Sequence, residues 1–329
     1  MQSLRSSWFP VLLVLIAVLM IINSFLIQSS KNGALITDKT GDEWHAPDIN
    51  LVPHTSEGNL IRYGRDLIVN TSIYFGPKGI IAPITNGMNC QSCHIEAGTR
   101  SFGNSFAAVA STYPKYRDRS GRIESIEFRI KECMERSLDG QSTDSLSKEM
   151  KAMVAYFKWI GKDVKPGVKP AGSGIVEIPF IKRSADPQKG KIIFENNCQR
   201  CHGNNGEGVM FPDSTGYIYP PLWGLHSFNV SAGLYRISRL AAFIKYNMPF
   251  GPAQLPPQLT DEEAWDVAAF IISQPRDEKR FPYDWPKVET KPVDYSFGPY
   301  TDAFSEQQHK YGPFIPIKEA REKSIKGLK

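Results

Sequence analysis

Cysteine is scarce in this chain, with five in 329 residues. That is too few for a disulfide scaffold. No dense block of lysine and arginine is interleaved with aromatics, and the net charge is a dispersed +5. Nucleic acid is therefore not a partner, and the small positive excess favours anionic small molecules or acidic partners. No apolar–polar alternation of any length marks a strand. Gly 26 and Pro 24 are unexceptional, which excludes a fibrous or low-complexity chain. What remains is a globular composition, 41% hydrophobic and 22% charged, in a chain long enough for two domains.

The N-terminus carries one long apolar run, "WFPVLLVLIAVLMIINSFLI" at 8–27, directly behind "MQSLRSS". At about 20 residues it is long enough to cross a bilayer, whereas the apolar core of a cleavable signal is about 7–15 residues. The following "QSSKNGA" offers no clear small-x-small cleavage site. The run reads as an uncleaved export anchor, with a cleaved signal peptide as the alternative. Either reading puts the rest of the chain outside the cytoplasm: on the periplasmic side of a bacterial inner membrane, or free in the periplasm.

Residues 1–29 are this export segment and 30–55 a polar linker. A first domain spans 56–163. The segment 164–182, rich in Gly, Pro and Lys, marks a boundary, and a second domain spans 183–275. The last stretch, 276–329, shows little helical periodicity but carries Phe281, Tyr283, Trp285, Tyr295, Phe297 and Tyr300. Disordered tails are poor in aromatics, so this extension is expected to lie against the body.

The two domains echo each other. "NCQSCH" at 89–94 is followed, 61 residues after Cys93, by "VAYF". "NCQRCH" at 197–202 is followed, 66 residues after Cys201, by "VAAF". The segments "DSLSKEMKAMVAYFKWIG", "DPQKGKIIFENN" and "TDEEAWDVAAFIISQ" read as helices, the last opening with a Thr260/Glu263 capping box.

Cys90-Gln-Ser-Cys93-His94 and Cys198-Gln-Arg-Cys201-His202 match C-x-x-C-H, the attachment sequence of a c-type haem. Two sulfurs form thioethers to the two haem vinyl groups, and the next residue, histidine, binds the iron from one face. A four-cysteine zinc site usually separates its pairs by about 15–20 residues; here the pairs lie in separate domains, and zinc does not require the histidine. Two covalent haem c groups are predicted, with iron ligands His94 and His202. The fold class is all-α in the main: two tandem class I cytochrome c-like domains, one haem each, and an irregular aromatic-rich C-terminal extension.

For the second haem the distal ligand is Met248 in "KYNMPFG", 46 residues after His202. Met210 is the rival, only 8 residues past His202 and too close to cross the haem. Lys245, near Met248, is a further competitor for iron. In the first domain no such methionine loop occurs. Instead, 39 residues after His94, the segment "FRIKECMERS" reads as a helix. Gly121, Ser125, Arg129, Cys133 and Ser137 recur every four residues on one drifting stripe. Ile126, Ile130, Met134 and Leu138 form a neighbouring apolar stripe that reads as core. Cys133 also fits a face through Ile123, Ile126 and Ile130. A buried free thiol or an intermolecular disulfide are the plain readings of Cys133. In an oxidising compartment, a spare thiol points instead to a distal iron ligand, a substrate-reactive nucleophile, or both.

The segments "YPKYRDRSGRIESIEFRIKECMERSLDG", "NMPFG" and "KPVDYSFGPYTDAFSEQQHKYGPF", together with both C-x-x-C-H motifs, make the chain from about residue 56 onward resemble the two-haem thiosulfate dehydrogenases, also called tetrathionate reductases. The resemblance implies that haem 1 is bound by His94 and Cys133, and haem 2 by His202 and Met248. It implies a substrate site formed by Arg119, Arg129 and Ser137. The implied reaction couples two thiosulfates into tetrathionate, or the reverse, and electrons pass to an external partner such as another cytochrome c or a membrane oxidase. Arginine suits such dianions, because its planar fork stays charged. Thiolate ligation lowers a haem potential and methionine raises it, so electrons are expected to run from haem 1 to haem 2. Two rivals stand: a non-enzymatic two-haem electron carrier, and the haem subunit of a sulfur-oxidation carrier-protein system.

Overall fold

The computed structural model describes residues 43–250 and 259–327, together with the extended pair Ile36–Thr37. The apolar run at 8–27 lies outside the described residues. Among those described, no helix is long and apolar enough to cross a membrane.

Residues from Asp38 onward form one unit built on two hydrophobic cores. In the first, helix α1 (Ser56–Val69) starts where the Thr55 side chain accepts from the Gly58 amide. Helix α3 (Lys148–Ile160) starts the same way, at Ser147. The two cross at Gly64, where a Cβ would stand 2.0 Å from the Ala152 carbonyl oxygen; only a residue without one lets the backbones approach so closely. The second half repeats the device. Helix α4 (Pro187–Asn197) is capped by Asp186 and has proline in its first turn. Helix α6 (Asp261–Ser273) carries the capping box of Thr260 and Glu263. Gly190 of α4 lies where a Cβ would meet the Asp266 carbonyl oxygen at 1.9 Å. The echo between the halves thus extends from the cysteine motifs to the helix crossings.

Leu67, Ile68, Phe75, Met150, Tyr156 and Ile160 centre the first core. Phe194, Ile237, Trp265, Ile272, Phe314 and Ile317 centre the second. Each such side chain contributes about 1.5–3 kcal/mol when fully buried. Phe314 and Ile317 belong to the C-terminal extension, whose last helix is α7 (Ile315–Gly327). The extension also places Trp285, whose backbone N–H donates to the Arg119 carbonyl. At the other end, Val52 is buried in the first core and the Trp44 amide donates to Ala171, so residues 44–52 pack on the body.

Among the described residues, strands are only two or three residues long, in keeping with the mostly helical class read from the sequence. One short hairpin, Lys115–Arg117 against Arg122–Glu124, leads into helix α2 (Ile126–Arg136). Ser125 caps α2 by accepting from the Phe128 amide. Ile126, Ile130, Met134 and Leu138 are all buried, as the apolar stripe predicts. Gly121 does not join the polar stripe. It sits in the hairpin turn at φ +66°, and a Cβ there would stand 2.4 Å from Pro286. The four-residue spacing runs past the Ser125 cap, where the helix stops. Ile123 is 70% exposed on the hairpin, so the apolar face through it is not formed.

The two halves are joined by buried asparagines. Asn86 donates to the Ser227 carbonyl, Asn247 to the Phe102 carbonyl, and the Asn229 side chain to the Glu135 carbonyl. Helix α5 (Ile237–Asn247) ends at this seam, with Met248 as its C-cap.

Candidate active site

Behind the first cysteine pair lies a cavity of about 210 Å3, and Cys90, Cys93, His94, Arg129, Cys133 and Ser137 all border it. The tight turn Cys90–Ser92 delivers His94 to its wall. The imidazole is fixed from behind: Nδ1 lies 2.6 Å from the Asn104 carbonyl oxygen, and Phe106 stacks on the ring at 4.2 Å. Gly98 makes room for that stacking. At φ +79°, a Cβ there would be 2.0 Å from the Phe106 ring. Burial first, with Arg129 reinforcing it and the Asn104 carbonyl opposing, pulls the His94 pKa down to about 4. The ring is therefore neutral near pH 7. With Nδ1–H donated to a carbonyl, Nε2 keeps its lone pair and has no partner among the described residues. That is the orientation of an imidazole held for a metal.

The second cavity, about 440 Å3, is bordered by Cys198, Cys201, His202 and Met248. His202 repeats the device, with Nδ1 2.8 Å from the Pro220 carbonyl oxygen and a pKa lowered by burial. Met210 is half exposed on a short strand and does not border this cavity. Lys245 does not border it either, and is ion-paired with Asp261. Cys93 and Asn89 border both cavities.

These cavities fit a covalently held haem. Each is lined mainly by apolar side chains and offers two thiols beside one imidazole with a free Nε2. Among the described residues no group of three or more His, Cys, Asp or Glu side chains is placed to hold a metal ion alone.

Helix α2 supplies the charged side of the first cavity. Glu132 is buried between three arginines. Arg119 and Arg129 reach its Oε2 at 3.3 and 3.2 Å, and Arg136 reaches Oε1 at 3.1 Å. Burial alone would raise the Glu132 pKa; Arg119, Arg129 and Arg136 together hold it below the usual carboxylate range. Arg136 is in turn clamped by Asp284 of the extension, at 2.6 and 2.8 Å. Arg119 also donates to the Ser231 carbonyl at 3.4 Å.

The predicted residues divide accordingly. Cys133, Arg129 and Ser137 share one cavity with Cys90, Cys93 and His94. Ser137 caps α2, and its hydroxyl has no partner among the described residues. Arg119 does not border the cavity. It stands one layer back, joined to Arg129 through Glu132. Sequence reasoning missed Glu132, Arg136, Asp284 and Asn104. The Arg129/Glu132/Arg136 spacing on one helix was a visible cue; nothing local marks Asp284 or a backbone carbonyl.

Residues 82–165 match the family described as SoxA/TsdA, cytochrome c domain, and residues 187–275 match the Cytochrome c family. The chain is 38% identical to the thiosulfate dehydrogenase of Psychrobacter arcticus over 73% of this chain and 71% of that protein. It is 36% identical to the thiosulfate dehydrogenase of Allochromatium vinosum over 70% of this chain and 83% of that protein. The solved structure of thiosulfate dehydrogenase (TsdBA) from Marichromatium purpuratum is similar in fold, with a TM-score of 0.68 and 27% identity. The match covers 78% of this chain and 54% of that one, so the chain spans about half the length of that structure. Relatives at this identity, over more than two thirds of both chains, establish that the protein belongs to the thiosulfate dehydrogenase family, as a cytochrome c oxidoreductase with two cytochrome c domains and two covalently bound haem c groups.

Proposed function

We propose that this chain couples two thiosulfates to tetrathionate, or runs the reverse, at the first cavity. The observation that carries the reading is the shared cavity: a cysteine outside both attachment motifs, Cys133, borders it together with Arg129, Ser137 and the first haem-binding motif. A non-enzymatic electron carrier needs neither that cysteine nor the arginines.

Cys90, Cys93, His94 and Cys133 would hold haem 1, and Cys198, Cys201, His202 and Met248 would hold haem 2; when bound, the haems would supply one-electron acceptors. Arg129, with Arg119 behind it, balances the charge of an entering dianion, and the Ser137 hydroxyl donates one further hydrogen bond to a sulfonate oxygen. The Cys133 thiolate forms a sulfur–sulfur bond to the outer sulfur of one thiosulfate, giving Cys–S–S–SO3⁻ and two electrons. The outer sulfur of the second thiosulfate attacks the middle sulfur of that adduct, the one bonded to Cys133, and displaces the Cys133 thiolate. Tetrathionate departs, the Cys133 thiolate is regenerated, and no proton is consumed. The second haem, when bound, would pass the electrons on to an external acceptor such as another cytochrome c or a membrane oxidase. The 8–27 run supports a location on the periplasmic side of the inner membrane, anchored there or released by cleavage.

The test is a ferricyanide-coupled thiosulfate assay on the haem-loaded protein, beside Cys133→Ala. The expected result is thiosulfate-dependent reduction in the wild type that is lost in the variant with both haems still attached. A wild type silent with thiosulfate, and silent with tetrathionate and a reduced dye, would leave a two-haem electron carrier.

A further inference from the structure

Arg276 follows helix α6, and its backbone bridges to Gly224. Its guanidinium donates to three carbonyls: Phe228 at 3.1 Å, Leu222 at 3.1 Å and Ile271 at 2.8 Å. It also lies over the Phe228 ring at 4.4 Å and near the Tyr235 ring at 5.1 Å. Its Nε is enclosed and has no partner among the described residues. No carboxylate forms an ion pair with it among the described residues. Other enclosed arginines differ in this respect: Arg119 has Glu132, and Arg136 has Glu132 and Asp284. Burial lowers the Arg276 pKa to about 10, so the group remains a cation at neutral pH.

An enclosed charge without a counter-charge is costly, and carbonyl dipoles solvate it without cancelling it. The three carbonyl acceptors show where the charge is held. Leu222, Phe228 and Ile271 all border the second haem cavity. Arg276 therefore stands one residue behind the wall of that cavity.

We propose that Arg276 is a positioning residue for the redox balance of the second haem, holding an uncompensated positive charge behind its apolar wall so that the reduced form is favoured. Reduction adds one electron and lowers the net positive charge of the haem by one unit. A fixed neighbouring cation stabilises that change, and does so strongly through a low-dielectric wall. The inference requires only the haem in the second cavity and is independent of the thiosulfate reading.

The test is a spectroelectrochemical titration of the full-length, two-haem protein as wild type, Arg276→Gln and Arg276→Lys. Glutamine is expected to shift the reduced-to-oxidised ratio of the second haem at least tenfold toward the oxidised form at fixed potential, a fall of about 59 mV for one electron. The first haem is expected to stay unmoved. Lysine keeps the charge and is expected to restore most of the difference. The shift is expected to persist at high salt, since an enclosed charge is poorly screened. Arg276→Met, which fills the space below Phe228 and Tyr235 without a charge, makes the same comparison if glutamine does not hold both haems. An unchanged second potential overturns the proposal. So does an equal fall in the lysine variant, which would make the carbonyl contacts and not the charge responsible, or a parallel fall of both haems.

Discussion

Arg119 and Arg129 share a single acceptor atom, Oε2 of Glu132, at 3.3 and 3.2 Å. Arg119 and Glu132 lie 13 positions apart in sequence; the hairpin before α2 folds that distance away. Two like charges are thereby held side by side, and Arg129 alone borders the cavity.

Replacing Glu132 with glutamine leaves three guanidinium groups to repel one another around a neutral amide. Removing one partner of a buried pair costs about 3–5 kcal/mol. The expected outcome is a lower melting temperature and a raised KM for thiosulfate, with Glu132→Asp recovering part of both. Steady-state kinetics beside a thermal melt checks it; an unchanged KM would mean that the arginines hold their places without the carboxylate.

Ser137→Ala removes a hydroxyl with no partner among the described residues, at the C-terminal end of α2. A hydrogen bond to a charged group contributes about 1.5–3 kcal/mol, so kcat/KM is expected to fall about 10- to 100-fold while the melting temperature stays within a degree or two. Comparing both quantities on one preparation separates binding from folding.

Gly98→Ala places a methyl group 2.0 Å from the Phe106 ring, at a backbone angle that favours glycine. Phe106 must leave the face of His94. A loss of about 1–3 kcal/mol is expected, together with a changed first-haem spectrum and an unchanged second. A spectrum identical to wild type at both haems would show that the stacking does not orient His94.

The extension is fastened by Asp294, which is fully buried against Arg236 and Ser238. Burial would raise its pKa, but Arg236 and the hydrogen bonds hold it below the usual carboxylate value. A depressed folded pKa means that the stabilisation is fully present above the unfolded value, about 3.9 for aspartate. It is lost as pH falls through the lower folded value. Limited proteolysis of the C-terminal segment is expected to accelerate with acidification below about pH 3.9, and Asp294→Asn to be labile even at pH 7. Equal proteolysis of both proteins at pH 7 would remove Asp294 as the fastening.

The cysteine motifs, the capping box of α6 and the apolar stripe of α2 were legible because each is set within a few residues. A cap, a 3.6-residue period or a covalent attachment leaves its mark locally. The closure of the arginine group around Glu132 was not legible, since it depends on Asp284, 148 positions beyond the Arg136 that it clamps. The fixing of His94 was equally hidden, because its partner is the carbonyl of Asn104, a group every residue carries. Gly121 was misplaced for a related reason. Regular spacing alone does not show where a helix begins, and Ser125 begins this one.

Cys93 belongs to the walls of both cavities. Under the proposed reaction, electrons are produced two at a time, while each iron accepts one. A partition no thicker than a shared residue lets the pair be lodged on both centres at once, with no moving part between them. The protein would then behave as a small two-slot accumulator, discharging singly to a carrier that never has to reach the place where sulfur is joined to sulfur.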